Sequence, residues 1–345
     1  MPVFGIDPGA YEGGGVVATR AEQDPSARGA ASAAASASGL PRLSWPGRPV
    51  RTAFVLGGGG NRGAIQVGML RALSERGIVP DLLVGTSIGA VNAAAFAGAP
   101  TIEGVYLAAD LWRRIAAEDV FPRGRFDGTW RFLQRREAVY PIDGLRRVVR
   151  GFLRFEHVED SPVPLVLVAT RLDDGAEEWI TAGPAVEAVL ASAALPGLYP
   201  PVELAGSHYF DGGVLDNVAL AAALSAGARR VFVLLCGSVD ISIPVFSRPY
   251  EAMFAAFGVA LTGRLKRDLA AVGRDVDVVV FEGLMASGGG QPSDFSKTEE
   301  WIDQGYRTAR AALDGYDEAM KARTAASTRG RSAAAIERAR KTLKR

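Results

Sequence analysis

The chain has 345 residues, of which 48% are hydrophobic and 22% charged, so it holds enough apolar material for a sizeable core. Its 39 Lys and Arg nearly balance 38 Asp and Glu, so at a net charge of +1 no overall field favours nucleic acid as a partner, and none is expected. A single cysteine, Cys236, excludes an intramolecular disulfide and a cysteine-cluster metal site. Because the sequence contains neither a signal-peptide pattern nor an apolar run long enough to span a bilayer, we expect a cytoplasmic protein, with peripheral membrane contact left open.

The two ends of the chain differ in composition from the middle. Residues 1–50 are dominated by Gly, Ser, Ala and Pro, which bury too little apolar surface to offset the ordering entropy, so they are predicted to form a disordered tail. Residues 321–345 contain nine Lys or Arg and one acidic residue, and are interpreted as a basic, Ala-rich tail that is a frayed helix. Residues 51–320 are predicted to form the folded domain.

Between the tails, apolar strands alternate with helical patterns. Strands that read as continuous apolar runs are buried on both faces. Alternation with helices therefore predicts an α/β fold of three layers, a mostly parallel sheet with helices on both faces. The predicted strands are 51–56, 81–85, 164–170, 177–182, 229–236 and 276–283, and the predicted helices are 64–77, 88–98, 184–194, 218–227, 249–272 and 298–322.

A glycine-rich loop follows the first of these strands and opens the first helix. Glycines have no Cβ, so their backbone N–H groups can approach a ligand closely, and the helix behind them adds a positive dipole end. The loop is therefore predicted to bind an anion. The candidate residues are Gly58, Gly59, Gly60, Asn61 and Arg62, with Gly63 supporting the turn.

The same loop also fits the G-x-G-x-x-G pattern of dinucleotide-binding proteins. That pattern requires an acidic residue about 20 positions later, at the carboxyl end of the second strand. Asp81 has about this spacing, but it lies at the start of its strand and therefore at the opposite edge of the sheet. A nucleotide-binding module remains an alternative that this position disfavours.

The second glycine-flanked corner is Val-Gly-Thr-Ser-Ile-Gly-Ala at 84–90, which contains G-x-S-x-G. In this pattern a strained strand-to-helix turn lifts a nucleophilic serine, here Ser87, out of the sheet, and Gly85 and Gly89 allow tight packing around it. Both corners follow neighbouring parallel strands, at whose carboxyl ends ligands bind. The anion at the glycine loop would then be the oxyanion that forms when Ser87 attacks an ester. Taken alone, the short pattern also fits an ordinary turn.

Ser87 needs a partner that accepts its proton. Asp211 is the candidate, since Gly212 and Gly213 place it at a tight turn, although an Asp-Gly-Gly sequence by itself is also typical of a plain turn. Asp216 is a nearby rival that could instead cap a helix.

The two histidines of the chain are weaker candidates for a general base. If residues 207–211 are extended, side chains alternate between faces, so His208 and Asp211 lie on opposite faces. His157 lies in a polar loop between elements. We interpret both as surface or loop residues.

Together these blocks resemble the patatin-like phospholipases, lipid acyl hydrolases that use a Ser–Asp dyad. The glycine loop, the serine turn, the segment Ala-Ser-Ala-Ala-Leu-Pro-Gly-Leu-Tyr-Pro-Pro-Val at 191–202 and the Asp-Gly-Gly turn occur in the family's order, and the resemblance covers roughly residues 51–285. It implies Ser87 as nucleophile, Asp211 as its partner, no catalytic histidine, and no metal or organic cofactor.

The substrate implied by the resemblance is a fatty-acid ester, and a phospholipid or lysophospholipid is favoured. Residues 111–155 carry 11 Arg against five acidic residues, with eight aromatic side chains among them. This composition suits an anionic membrane surface, but it also fits a helical cap whose aromatics are core and whose arginines are solvated. The basic tail at 321–345 is a second possible membrane contact. The alternatives are a non-lipid serine esterase and a catalytically idle binding module.

Overall fold

The computed structural model describes residues 15–18, 42–121, 138–239, 249–273, 275–283 and 294–342. Nine strands form one sheet in the order β1-β9-β8-β2-β3-β4-β7-β6, with β5 paired to β4. They are β1 (Gly15–Ala18), β2 (Thr52–Leu56), β3 (Leu82–Thr86), β4 (Leu165–Arg171), β5 (Glu177–Ile180), β6 (Val202–Leu204), β7 (Ser207–Asp211), β8 (Arg230–Leu234) and β9 (Asp277–Phe281).

The helices lie on both sides of this sheet. Among the described residues, no helix is both long and apolar enough to cross a membrane. The α-helices are α1 (Ala64–Glu75), α2 (Ile88–Ala97), α3 (Ile102–Arg114), α4 (Ala117–Val120), α5 (Asp143–Phe152), α6 (Ala185–Ala193), α7 (Leu220–Ser225), α8 (Pro249–Ala271) and α9 (Thr298–Thr342).

The central strand pairs are parallel and the outer ones antiparallel. β9, β8, β2, β3 and β4 run in one direction, whereas β1, β5 and β7 are antiparallel to their neighbours in this set. This arrangement confirms the predicted mostly parallel sheet. Leu56 pairs with Gly85, so β2 and β3 end side by side. The glycine loop and the serine turn therefore leave the sheet at neighbouring positions.

Alternate residues of the central strands point into two separate apolar cores. In β2, Phe54 and Leu56 face one core, and Ala53 and Val55 face the other. Helices α1, α2, α3 and α9 cover the first face, while α7 and α8 cover the second. The structure thus has the three layers that the buried strands predicted.

Both terminal segments of the chain contain described secondary structure. β1 lies within residues 1–50 and pairs antiparallel with β9, whose outer edge would otherwise be open. At the other end, α9 continues to Thr342, across the predicted boundary between residues 320 and 321. Ala, Lys and Arg are good helix formers, so the change in composition at this point does not end the helix.

Two strands share one edge of β4, and this arrangement creates the site described below. β3 pairs with residues 165–168 of β4, and β7 pairs with residues 169–171. β5 occupies the opposite edge over residues 167–170. A strand has only two edges, so β3 and β7 lie end to end on the same one. Because β3 is parallel and β7 antiparallel to β4, their carboxyl ends meet.

Helices α1 and α9 cross in backbone contact at two glycines. A Cβ placed on Gly68 would lie 1.9 Å from the carbonyl oxygen of Ile302, and one on Gly305 would lie 1.9 Å from that of Ile65. Backbone atoms of two helices cannot move apart locally, so any side chain here would separate the helices.

We therefore expect Gly305→Ala to lower the free energy of unfolding by about 1–3 kcal/mol, the typical cost of overpacking a core. Gly263→Ala in α8 is the matched control, because its new methyl group would meet only Nη1 of Arg267 at 3.6 Å. Alanine is the better helix former, so this control should be as stable as the parent or more so. Urea denaturation measures both variants, and equal stability of the two would contradict the close helix crossing.

Candidate active site

Ser87 occupies a strained turn between β3 and α2. Its backbone has φ 58° and ψ −125°, and within the described part of the chain Ala205 is the other non-glycine residue with positive φ. Such a conformation costs on the order of 1–3 kcal/mol and is typical of functional sites. Gly89 lies so close to β2 that a Cβ would be 2.1 Å from the carbonyl oxygen of Leu56, and one on Gly85 would be 2.6 Å from Cα of Ala90. These contacts account for both predicted glycines.

Ser192 of α6 holds the backbone of Ser87 in place. The N–H of Ser87 lies 3.1 Å from both the carbonyl oxygen and Oγ of Ser192, and the Ser192 hydroxyl donates to the carbonyl of Val168 at 2.6 Å. Ser192 is fully buried. Sequence reasoning did not single out this residue, although it lies in the Ala/Ser/Pro segment at 191–202.

Asp211 is the last residue of β7 and meets the end of β3. Asp211 is 1% exposed, and its Oδ1 accepts the N–H of Gly213 at 2.8 Å. Its Oδ2 makes no hydrogen bond of standard geometry with any described residue. Burial raises the pKa of this carboxyl to about 6, while the Ser87 hydroxyl and the Gly213 N–H act in the opposite direction. The chain thus brings one buried carboxyl to the serine turn.

The Asp-Gly-Gly sequence is required by packing as well as by the turn. A Cβ on Gly212 would lie 2.2 Å from the carbonyl oxygen of Val168 in β4, so only glycine allows β7 to end against this strand. A Cβ on Gly213 would lie 3.0 Å from Oδ1 of Asp211, the oxygen that its N–H binds.

The other candidate partners of Ser87 are engaged elsewhere. Asp216 is buried in an ion pair with Arg264 at 2.7 Å, and its Oδ1 accepts the N–H of Val218. His208 is exposed on the face of β7 opposite to Asp211, as the alternation predicted. His157 is exposed and lies 3.6 Å from Asp160.

Gly58 in the glycine loop packs directly against the serine. A Cβ on Gly58 would lie 2.9 Å from Cβ of Ser87 and 2.4 Å from Oδ1 of Asn217. The N–H of Gly58 donates to the carbonyl of Asn217 at 3.2 Å, and Nδ2 of Asn217 donates back to the carbonyl of Gly58 at 3.3 Å. This pairing corrects the expectation that the Gly58 N–H faces an anion, because the Asn217 carbonyl already occupies that donor.

Gly59 and Gly60 keep N–H groups that donate to no residue in the described part of the chain. Gly60 has φ 62°, a left-handed conformation that favours glycine, with open space where a Cβ would stand. At Gly59 the Cβ would lie 2.2 Å from Cβ of Cys236, so the loop rests on the carboxyl end of β8. These two residues are the candidate anion donors that the loop retains.

The remaining loop residues have distinct positions. Asn61 is buried, and its side chain donates to the carbonyl of Asp294 at 2.7 Å. Arg62 is partly exposed and lies close enough to Cys236 to lower that thiol's pKa, which burial nevertheless raises to about 12. Gly63 packs against the start of α2, where a Cβ would lie 2.4 Å from Ile88.

The dinucleotide-binding alternative can be compared with this geometry. Asp81 accepts the N–H groups of Arg51 and Thr52 at the amino end of β2, at the edge of the sheet opposite to the glycine loop, which disfavours a dinucleotide site. Within the described ranges, no group of three or more His, Cys, Asp or Glu side chains is arranged to hold a metal ion.

The chain is similar to several solved structures. Human GIVD cytosolic phospholipase A2 is 13% identical with a TM-score of 0.47, covering 84% of this chain and 62% of that one. VipD from Legionella pneumophila is 14% identical with a TM-score of 0.39, covering 77% of this chain and 67% of that one.

Relatives found by sequence have a higher identity to this chain than these two solved structures do. Lysophospholipase NTE1 of Mycosarcoma maydis is 34% identical over 197 residues, which are 55% of this chain and 10% of that protein. Lysophospholipase NTE1 of Phaeosphaeria nodorum is 33% identical over 216 residues, 61% of this chain and 13% of that protein. The chain therefore spans about one tenth of the length of these curated relatives.

The family model of patatin-like phospholipases matches residues 54–224, a range that begins in β2 and ends in α7. It contains the glycine loop, the Ser87 turn and the Asp211 turn in one segment. Residues 54–224 of this chain are therefore a patatin-like phospholipase domain.

Proposed function

We propose that this chain hydrolyses the fatty-acid esters of phospholipids or lysophospholipids, with Ser87 as nucleophile and Asp211 as its proton acceptor. The observation that carries the proposal is the meeting of β3 and β7 at their carboxyl ends. It joins a serine with strained backbone to a buried carboxyl that has one oxygen without a regular hydrogen bond.

The proposed reaction has two halves. Oγ of Ser87 attacks the ester carbonyl carbon while its proton passes to Asp211, and the tetrahedral intermediate then expels the alcohol, which takes that proton. In the second half, water attacks the carbonyl carbon of the acyl-serine while one of its protons passes to Asp211, and the Ser87 oxygen leaves and takes that proton, which releases the fatty acid. With a pKa of about 6, the Asp211 carboxyl is mostly ionised at pH 7 and is a stronger base than an exposed aspartate.

The N–H groups of Gly59 and Gly60 are the proposed oxyanion donors. They follow Gly58, which packs against Ser87, and they have no acceptor among the described residues. Donors fixed in place before the reaction stabilise the developing negative charge, and each can contribute about 3 kcal/mol. We propose Arg62 as an additional positive charge near this loop, and Asn61 as a residue that anchors it through Asp294.

The lipid substrate is supported by the relatives, which are named lysophospholipases. A charged surface fits the same proposal. In α5 and just after it, Arg147, Arg150 and Arg154 are exposed and have no ion-pair partner among the described residues, whereas Arg146 pairs with Glu187. We propose that these arginines, together with the basic segment 321–345, contact anionic lipid headgroups. Residues 122–137 of the predicted contact region lie outside the described residues.

The nucleophile is tested with Ser87→Ala. Hydrolysis of lysophosphatidylcholine and of a short p-nitrophenyl ester should fall by orders of magnitude, because only binding and the oxyanion donors remain. Labelling by a fluorophosphonate probe should disappear at the same time. Circular dichroism controls for folding, and wild-type turnover in a folded variant would refute the nucleophile. Turnover of the short ester without any turnover of lipid would favour a non-lipid esterase.

The proton acceptor is tested by comparing Asp211→Asn with the double variant His157→Gln/His208→Gln. The histidine-free protein should keep most of its activity, whereas Asp211→Asn should lose orders of magnitude, because an amide cannot accept the proton. In the parent, kcat/KM should fall as the pH drops through about 6, where Asp211 becomes protonated. A folded but inactive histidine-free protein would contradict the dyad.

Stability gives a second readout for Asp211→Asn. A folded-state pKa of about 6 against an unfolded value near 3.8 means that the group favours folding at low pH and loses this contribution as the pH rises through 6. Removing the buried charge should therefore stabilise the protein at pH 8 by roughly 3 kcal/mol at most, and by little at pH 4. Equal stability of the variant and the parent at pH 8 would mean that Asp211 is not a buried, ionised carboxyl.

The glycine loop is tested through the contact between Gly59 and Cys236. Gly59→Ala should push the loop off β8, because its Cβ would overlap with Cβ of Cys236, and kcat should fall more than 10-fold as the donors move. Cys236→Gly removes the obstructing atoms and should restore most of the activity in the double variant. Cys236→Gly alone is the control. If the double variant stays as slow as Gly59→Ala, displacement by Cys236 is the wrong explanation.

A further inference from the structure

A buried chain of polar side chains lies behind the glycine loop. Gln66 of α1, Asn92 of α2 and Trp112 of α3 are each at most 3% exposed. Indole Nε1 of Trp112 donates to Oδ1 of Asn92 at 2.9 Å, and Nδ2 of Asn92 donates to Oε1 of Gln66 at 2.8 Å. Three helices on one face of the sheet are thus joined by consecutive hydrogen bonds.

The same amide groups also bind both ends of the glycine loop. Nε2 of Gln66 donates to the carbonyl of Gly57 at 2.7 Å and to that of Leu234 at 3.0 Å. Nδ2 of Asn92 donates to the carbonyl of Gly63 at 2.9 Å. Gly57 begins the loop and Gly63 ends it, so one network holds the backbone on either side of the candidate oxyanion donors.

The network also connects this loop to the nucleophile. Asn92 lies five residues after Ser87, on the helix that the serine turn opens. Each N–H group lies in the plane of its own peptide unit, and carbonyls held at both ends of a short loop limit how the peptide planes between them can rotate. A fully satisfied buried network is rigid, whereas a partly satisfied one is not.

We propose that Gln66 and Asn92 are positioning residues that hold the oxyanion loop at a fixed distance and angle from Ser87, with Trp112 orienting the Asn92 amide. The inference rests on the proposed hydrolysis at Ser87. Neither amide touches the substrate, so both act through the N–H groups of the loop. Their contribution therefore belongs to the chemical step and not to lipid binding.

The principal test is Gln66→Met, which keeps the length and apolar stem of the side chain and removes both donors. We expect kcat for an ester substrate to fall on the order of 10- to 100-fold with KM changed less than about threefold. Rates are normalised to the fraction of protein labelled by a fluorophosphonate, so misfolded protein does not count. Ser161→Ala is the matched control, because it also removes a buried bond from a side chain to a backbone carbonyl, that of Val163, away from the loop.

A pH profile separates positioning from general stability. In Gln66→Glu, the carboxyl can donate to the Gly57 carbonyl only while it is protonated. The ratio of its kcat to that of Gln66→Met should therefore rise as the pH is lowered, which loss of stability alone would not produce. Trp112→Phe leaves Gln66 in place and should lower kcat only severalfold, so it keeps the test valid if the Gln66 variants do not fold.

The outcomes are distinguishable. A normal kcat per labelled site in Gln66→Met, or in Trp112→Phe if only that variant folds, would overturn the positioning role while leaving the hydrolase proposal intact. A flat activity ratio across pH in folded Gln66 variants would also overturn it. If the parent protein hydrolyses no ester, or Ser87→Ala hydrolyses it equally well, the proposed function itself fails.

Discussion

The site depends on one constraint of strand pairing: β3 and β7 occupy the same edge of β4 and meet at their carboxyl ends. The chain turns sharply at both ends, and the two turns carry Ser87 and Asp211. Gly212 makes the junction possible, because its missing Cβ leaves room for the carbonyl of Val168. Ser192 links the same two segments, because its hydroxyl donates to the Val168 carbonyl and accepts the N–H of Ser87. Ser87 and Asp211, which are far apart in sequence, thus meet at one edge of β4.

The junction is locally unfavourable in two respects. The backbone of Ser87 is strained, and Asp211 is buried with one oxygen lacking a regular partner, so its pKa is raised to about 6. Each feature costs on the order of 1–3 kcal/mol. The apolar cores on both faces of the sheet hold these groups in place. Burial also makes the Asp211 carboxyl a stronger base, so stability and the proposed activity oppose each other here.

Four consecutive glycines have four different reasons to be glycine. A Cβ on Gly57 would lie 3.0 Å from Cγ2 of Val218, Gly58 packs against Ser87 and Asn217, Gly59 packs against Cys236, and Gly60 has a left-handed backbone. The carbonyl of Gly57 also accepts Nε2 of Gln66 from α1. The shape of the loop is therefore set by α1, by the segment that follows the Asp-Gly-Gly turn and by the end of β8. The proposed anion donors are the N–H groups of Gly59 and Gly60, which have no acceptor among the described residues.

The sequence by itself determined the alternation of strands and helices, the mostly parallel sheet, the two glycine corners and the outward face of His208, because each of these follows from local periodicity or from residues without a Cβ. The tertiary structure decided the rest. The β6–β7 hairpin and the bounds of helices α3 to α5 were not predicted, and neither the Gly58–Asn217 pairing nor the support from Ser192 has a local signal. Periodicity reports which side of a segment is buried, but not which edge of which strand it joins. The meeting of Ser87 and Asp211 depends on that choice of edge, which only the folded sheet makes.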